Sequence, residues 1–546
     1  MPDFFDLHRP TLQSAVRALA SREYWTPYPE VPSGKIYGET ARAEGEAAFA
    51  ALLGADFELP GHPGQGRLGA ELSPHGPVLG IRYPAATPDE LIAAAQAAAP
   101  ALAAATPETR VGACLEALAR LNRDSFLIGN ATMHTTGQAF AMAFQAGGPH
   151  AQDRGLEAVA AAWAEMTRFA PTARWEKPQG KAAPIVLHKT WTLRPAGIAL
   201  TIGCNTFPTW NSYPGLFASL ATGNPVIVKP HPRAILPLAL TVRILRQVLA
   251  EAGLPADAVL LAVDEPGAEV TRELATRPEV RLIDYTGSSA FGDWLRDNAR
   301  QAQLFTEETG VNSVVIAATP DLDGMCANLA FALSLYSGQM CTSPQNIYIP
   351  AGGIETDKGH RSADEVAAAL VAAIDALLSD PARAAGICGA IANPATADRA
   401  RTMAQRGRVL RAGVTAGEAG PLVLAVKAGD AVAAQECFGP VAFVIATPDA
   451  DSAIRQAADL AATRGAITAA LYDTDDARIA RAEAAFAAAG VNLSVNLTGN
   501  IYVNQSAAFS DFHVTGANPA GNASLTDTAF VATRFRRVMS RRLAAA

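Results

Sequence analysis

The strongest restriction on the fold is a rhythm that sets in near Ile185. Short apolar runs, many of them β-branched, alternate with helix-length segments: Ile198 to Ile202, Val226 to Val228, Val259 to Val263, Val280 to Tyr285, and a run ending at Thr306. Parallel strands need crossover connections, so this alternation predicts a doubly wound parallel sheet with its ligand at the carboxyl ends of the strands. The loops after Ile202, Val228 and Tyr285 are therefore where a nucleotide would lie. A second alternation runs from Val314 to about Val495, through Asn346 to Ile349, Leu422 to Val426, Val441 to Ile445 and Ala469 to Tyr472, and predicts a second α/β domain. The division falls near Gly310. Residues 1–310 then hold a helical N-terminal region and a Rossmann-like dinucleotide-binding domain, and 311–500 a catalytic α/β domain.

Ahead of the rhythm the chain reads as mainly helical. Leu12, Val16 and Leu19 share one helical face, and Thr87-Pro88-Asp89-Glu90 is a capping box with Pro at the first helical position. Thr106-Pro107-Glu108-Thr109 opens another helix, and no chemistry is expected in this region. With 546 residues and a net charge of −8, the chain can bury substantial cores, and it is too acidic for a nucleic-acid groove or an anionic membrane as its main partner. The basic cluster Arg534-Phe535-Arg536-Arg537 with Arg541-Arg542 reads as a solvated terminal face. Six cysteines without a CxxC pair fit a reducing cytoplasm, and the acidic start Met1 to Asp6 lacks the pattern of an export signal. The uncharged stretch between Arg194 and Lys229 is broken by Gly203, Asn205, Pro208, Pro214 and Pro225, so it reads as strand, loop and packed helix rather than a membrane span.

Three side chains could run covalent acyl chemistry if they met in space. Cys341, in Ser337-Gly338-Gln339-Met340-Cys341-Thr342-Ser343, is a candidate nucleophile in a loop where a helix N-terminus could lower its pKa. A buried free cysteine is otherwise a small core hydrophobe. Glu307, upstream at the domain division, could activate water, and the carboxamide of Asn205 could stabilise an oxyanion. No histidine lies near Cys341 in sequence, so a cofactor-free cysteine hydrolase has no base close by in the chain. For an anionic ligand the candidates are Thr286-Gly287-Ser288-Ser289-Ala290-Phe291-Gly292, which follows a strand and opens a helix, and Lys229 at a strand's carboxyl end. No metal site is expected.

Taken together, these motifs resemble the aldehyde dehydrogenase superfamily from about Val186 to Phe535. Cys204-Asn205-Thr206-Phe207-Pro208 is similar to the family's Pro-Trp-Asn-Phe-Pro loop, Tyr285-Thr286-Gly287-Ser288 to its Phe-Thr-Gly-Ser turn, and Gly338-Gln339-Met340-Cys341 to its nucleophile motif. Glu436-Cys437-Phe438-Gly439-Pro440 resembles Glu-x-Phe-Gly-Pro, which implies that Glu436 binds the nicotinamide ribose and Phe438 packs on the cofactor. Glu307-Glu308 takes the place of the family's Glu-Leu-Gly-Gly-Lys, with Glu307 in the catalytic register. The resemblance implies attack of Cys341 on an aldehyde, an oxyanion held by Asn205 and the Cys341 N–H, and water activated by Glu307. CoA-acylating dehydrogenation and a cysteine hydrolase are the alternatives.

The family's Lys-Pro-Ser-Glu is Lys229-Pro230-His231-Pro232 here. The acid that often grips the ribose of NAD is absent, so NADP is expected, with NAD as the alternative, and Lys229, with His231 or Arg233 if either turns inward, would meet the 2′-phosphate. Gly292 completes the expected cofactor contacts. At finer grain, Cys204-Asn205-Thr206, the altered Glu segment and His134-Thr135-Thr136-Gly137-Gln138 resemble the phenylacetic acid degradation aldehyde dehydrogenases of the PaaN type. This implies a CoA-linked semialdehyde as substrate, with hydration supplied elsewhere because no hydratase domain follows before Ala546. A homodimer or higher oligomer is implied as well, through an arm at 183–194 that pairs with the C-terminal segment 501–546.

Overall fold

The structure is a computed structural model that describes residues 3–308, 310–525 and 527–544; Thr309, inside the Glu307 segment, and the terminal Met1 and Ala546 lie outside the described residues. The first rhythm forms a five-stranded sheet in the order Val259–Leu261, Val226–Lys229, Ile198–Ile202, Val280–Gly287, Gln303–Glu308. Every pairing in it is parallel. The strand order reverses at Ile198–Ile202, so a crevice opens beyond the ends of Ile202 and Gly287, where open α/β sheets take their ligands. The second rhythm forms a seven-stranded sheet in the order Arg408–Arg411, Leu422–Lys427, Val441–Thr447, Asn346–Pro350, Ser313–Ile316, Thr468–Tyr472, Asn492–Val495. Only its Arg408–Arg411 edge strand runs antiparallel.

The N-terminal helices cover the first sheet and share its core. Thr87 and Glu90 close the capping box of helix Pro88–Ala104, and Thr106 caps Pro107–Arg123. Helix Pro149–Thr167 is buried on nearly all sides and packs closely on Pro208–Ala221; a Cβ on Gly155 would lie 2.9 Å from Leu118 and Phe217 side-chain atoms. Glycine there permits the close approach.

Three findings concern the C-terminal segment. A three-stranded antiparallel sheet, Phe535–Leu543, Ala182–Pro195 and Thr172–Gln179, leaves Trp175, Ile185, Val538 and Met539 exposed. Residues ahead of it fold back over both large sheets: Gly521 bridges Glu307, Ala520 O accepts from Glu308 N at 2.6 Å, and Asn522 Oδ1 accepts from Thr306 N at 2.8 Å. The basic tail is not uniformly a solvated face. Arg534 is fully buried, donating to both oxygens of Asp284 at 2.5 and 2.9 Å and to Ser219 Oγ at 2.7 Å, between the rings of Phe305 and Phe530. A guanidinium can be buried when a carboxylate takes two of its donors and rings cover its faces. Charge counting along a sequence does not reveal that partner.

Candidate active site

The loop that carries Cys341 is held under backbone strain. Helix Leu322–Ser334 ends in a tight turn where Tyr336 (φ 51, ψ 32) and Ser337 (φ 51, ψ 39) are both left-handed, followed by Gly338 at φ 64. Non-glycine residues take that conformation only where their surroundings compel it. Tyr336 donates its hydroxyl to Thr136 O at 2.6 Å, and Ser337 donates to Cys388 O at 3.0 Å. A Cβ on Gly338 would meet Gly439 O at 2.4 Å, so glycine lets the Cys341 loop seat directly on the Glu436–Pro440 loop. Asn312, not foreseen as functional, donates to Cys341 O at 2.7 Å and Ser343 O at 2.9 Å while its Oδ1 accepts from Ile467 N and Thr468 N. The expectation of a helix N-terminus beside the thiol is overturned: the next regular element is strand Asn346–Pro350. Burial, followed by the Glu307 carboxylate, pushes the thiol well above its ordinary pKa.

Strand alternation separates the two adjacent carboxylates. Glu308 turns to Arg296 at 2.5 Å and lies over Gly292, where a Cβ would meet it at 2.4 Å. Glu307, 1% exposed, turns to the thiol. Its Oε2 accepts from Asn211 Nδ2 at 3.1 Å, and its Oε1 lies 2.9 Å from His513 Nε2. That same nitrogen is 3.5 Å from Cys341 Sγ, and one ligating atom from each of the three residues falls within 4.8 Å of the others. Burial alone would raise the Glu307 carboxyl, but His513, with the Cys341 hydrogen bond and the Arg154 charge, outweighs it and the net shift is downward. His513 is the member of this cluster that the sequence concealed. It stands 172 positions from Cys341, in a segment without regular structure and without a motif.

Asn205 follows strand Ile198–Ile202 in the loop before helix Pro208–Ala221, which carries Pro at its start. Its Nδ2 is buried without a hydrogen-bond partner, in the wall of the cavity that Cys341 also lines. An unmatched buried amide donor is costly, and an oxyanion would satisfy it. The N-terminal region does reach this site: Gln138 Nε2 donates to Thr206 O at 2.7 Å, and Phe207 packs edge-on against Tyr336. Neighbouring Cys204 is pushed up to about 11 by burial.

Two cavities meet at Cys341. The first, about 560 Å³, is lined by Lys229, His231, Thr286, Gly287, Ser288, Glu436 and Phe438. Ser288 is the N-cap of the ten-residue helix Ser289–Asn298. Lys229 Nζ is bonded to Asp264 at 2.6 Å and Pro230 O at 2.8 Å, and burial with the nearby Lys229 and Arg233 charges lowers His231 to about 4, leaving it neutral at pH 7. Arg233 does not line the cavity; its Nη1 donates to Asn393 at 3.3 Å. Gly292 sits behind the lining, under Glu308. The second cavity, about 530 Å³, is walled by Trp25, Tyr28, Arg154, Trp210, Phe331 and His513 among others, and the half-exposed pair His150–Glu30, 2.8 Å apart, stands at its rim.

The first cavity suits a nicotinamide dinucleotide by its donor set: N–H groups at a helix N-terminus for a pyrophosphate, an ammonium and a carboxylate for ribose hydroxyls, and a ring for a flat face. A cleft with this donor set, ending on a cysteine beside a buried carboxylate, fits an oxidoreductase that uses a nicotinamide dinucleotide. Residues 81–517 match the Aldehyde dehydrogenase family, and the chain belongs to that family. It is an aldehyde oxidoreductase. Among solved structures it is similar to an NAD-dependent aldehyde dehydrogenase from Burkholderia multivorans, at 53% identity over 100% of both chains with a TM-score of 0.97. It shares its fold with a 1-pyrroline-5-carboxylate dehydrogenase from Thermus thermophilus (18% identity, 96% of this chain and 99% of that one, TM-score 0.74). A further relative in fold is an NADP-dependent glyceraldehyde-3-phosphate dehydrogenase from Bacillus halodurans C-125 (19%, 88% and 96%, TM-score 0.66).

Proposed function

We propose that the enzyme oxidises an aldehyde to a carboxylic acid through a thioester on Cys341, with Asn205 as oxyanion donor and Glu307 as hydrolytic base. The observation that carries this reading is the meeting of two separate cavities at one sulfur, with Glu307 and the unmatched Asn205 amide beside it. Cys341 adds to the carbonyl carbon, and the Asn205 amide takes the oxygen that gains charge. A nicotinamide dinucleotide, when bound among Lys229, Thr286, Gly287, Ser288, Glu436 and Phe438, supplies the hydride acceptor. Glu307 then takes a proton from the water that releases the acid.

For the cofactor, the absence of a carboxylate at Pro232 favours NADP by removing repulsion. The attractive half is weak, because Lys229 is already paired with Asp264, His231 is neutral and Arg233 faces Asn393. Together with the NAD-dependent relative, this supports NAD as the working cofactor and NADP as the second. The substrate we propose is a semialdehyde on a large carrier such as CoA, formed by aromatic ring opening; the resemblance to the PaaN type and the size of the second cavity support it. The division of the chain near Gly310 and a reducing cytoplasm complete the reading, the latter supported by six free cysteines. Among the described residues, no helix is long and apolar enough to cross a membrane. The exposed arm supports a homodimer or higher oligomer, because uncovered strand edges are normally protected; a monomeric mass at micromolar concentration would refute it.

The direct experiment follows reduced-nicotinamide absorbance with a panel of aldehydes, CoA-linked semialdehydes included. Cys341→Ala should lower turnover by more than about 10⁴-fold while nucleotide binding persists. Turnover within tenfold of the parent enzyme would move the chemistry elsewhere. A cysteine hydrolase now has a histidine at hand in His513, and release of acid from thioesters without any nucleotide would favour it.

A further inference from the structure

We propose that His513 is a catalytic residue that takes the thiol proton of Cys341, keeps it while sulfur is bonded to carbon, and returns it when sulfur leaves. The proposal rests on Cys341 being the nucleophile. Glu307 Oε1 and His513 Nε2 are 2.9 Å apart, and a carboxylate oxygen facing an imidazole lone pair at that distance would repel it. A hydrogen therefore lies between them. When the neutral ring carries its hydrogen on Nδ1, toward Ser506, Nε2 has none of its own, and Cys341 Sγ, 3.5 Å from that nitrogen, is the adjacent source. In the transfer the S–H bond breaks, sulfur keeps the electron pair, and the proton bonds to the Nε2 lone pair. The new N–H donates to Glu307 Oε1. The ring's other hydrogen, on Nδ1, is donated to Ser506 Oγ at 3.2 Å, and that oxygen also accepts from Arg154 Nη2 at 3.2 Å. A hydroxyl oxygen has two lone pairs, so both bonds can form at once.

The surroundings suit a ring that changes charge in place. His513 is 5% exposed, and the ring of Trp210 stands edge-on to it at 4.5 Å, which holds its plane. Three titratable or charged groups face the ring: Glu307 and Cys341 at Nε2, and Arg154 across Trp210 and Ser506. Arg154 is itself paired with Glu157 at 3.3 Å, which offsets its charge. The thiol's other titratable neighbours, Cys204 and Glu436, both oppose a thiolate, as burial does. Imidazolium is the one compensating cation within hydrogen-bonding reach of the sulfur among the described residues. Glu307 thus has two tasks in sequence: it steadies the imidazolium while sulfur attacks, and it accepts the water proton once the thioester has formed. When water has added and the acyl–sulfur bond breaks, the departing sulfur takes its proton back from Nε2.

The test is the pH dependence of Cys341 alkylation by iodoacetamide in nucleotide-free enzyme, compared between the parent and His513→Asn. The parent should react near its plateau at pH 7. The variant should react about 100-fold more slowly there and gain about tenfold per pH step up to pH 9, as a lone buried thiol does. Alkylation of the variant within threefold of the parent, with an unchanged profile, would overturn the proposal. If His513→Asn fails to fold, by circular dichroism and nucleotide titration, the parent's own profile decides: an inflection in the imidazole range supports the proposal, and a single alkaline inflection refutes it. Cys341→Ala separates the two readings, since retained turnover there would sink the nucleophile assignment, while an unchanged His513→Asn profile would sink only the proton relay.

Discussion

The two cavities that meet at Cys341 are built in different ways. The nucleotide-side cavity is formed by loops at the carboxyl ends of parallel strands, after Ile202, Lys229 and Gly287, together with the Glu436–Phe438 loop. The other is assembled from chain segments far apart in sequence: Tyr24 to Glu30, Ala141 to Arg154, and Asn500 to His513. The first follows from sheet topology, because strand ends must converge at a switch point. The second depends on tertiary packing, through pairs such as Phe331 with Tyr502 and Arg154 with Trp210. A cavity built by topology can keep one ligand while a cavity built by packing is reshaped for another.

The sharpest way to break this contrast is beside the sulfur that both cavities share, at Glu307 in the wall of the first. Glu307→Gln should lower steady-state oxidation about 10²- to 10³-fold while a burst of reduced nucleotide persists and a thioester accumulates on Cys341, visible by mass spectrometry. Loss of the burst as well would mean that Glu307 is needed before hydride leaves. Normal turnover would transfer its role to Glu308, whose bond to Arg296 makes that outcome unexpected.

How far each side was legible follows from the same contrast. The parallel strands, and the segments that bring Asn205, Glu307 and Cys341 to one cavity, were legible because apolar periodicity and short local motifs mark them. Glu307 and Glu308 looked alike in the chain, and only strand alternation with Arg296 opposite separates them. His513, Asn312 and the buried Arg534 were not legible, because each owes its role to partners brought close by folding: Cys341 for His513, the Ser343 and Cys341 carbonyls for Asn312, and Asp284 for Arg534. For Arg233 the charge suggested a phosphate contact, and in the fold its Nη1 donates to Asn393, a residue of the cavity wall.

A second test acts on the packed cavity alone. Gly386 lies on helix Pro381–Cys388 beside that cavity, with open space around the position a Cβ would take. Gly386→Trp should raise KM for large aldehydes about tenfold, the loss of roughly 1.4 kcal/mol of binding, and leave KM for the nucleotide and for short aldehydes unchanged. A parallel rise in nucleotide KM would show that the two cavities are coupled. The smallest effect is expected on the nucleotide side. Asp264→Asn removes the partner carboxylate of Lys229 and should raise the kcat/KM ratio of NADP to NAD about threefold. An unchanged ratio would take Lys229 out of cofactor discrimination.

The fold-back of residues 501–534 also bears on how the enzyme is made. A ribosome-bound chain that has emerged only as far as residue 500 already contains Cys341, Glu307 and Asn205, but not His513, not Gly521 beside the Glu307 strand, and not the Arg534 that fills the space between Ser219 and Asp284. Domains tend to fold in order of synthesis. The Cys341 sulfur is therefore translated long before the imidazole beside it, and in a nascent chain the cluster of Glu307, Cys341 and His513 stays incomplete until the segment around His513 and Gly521 has emerged.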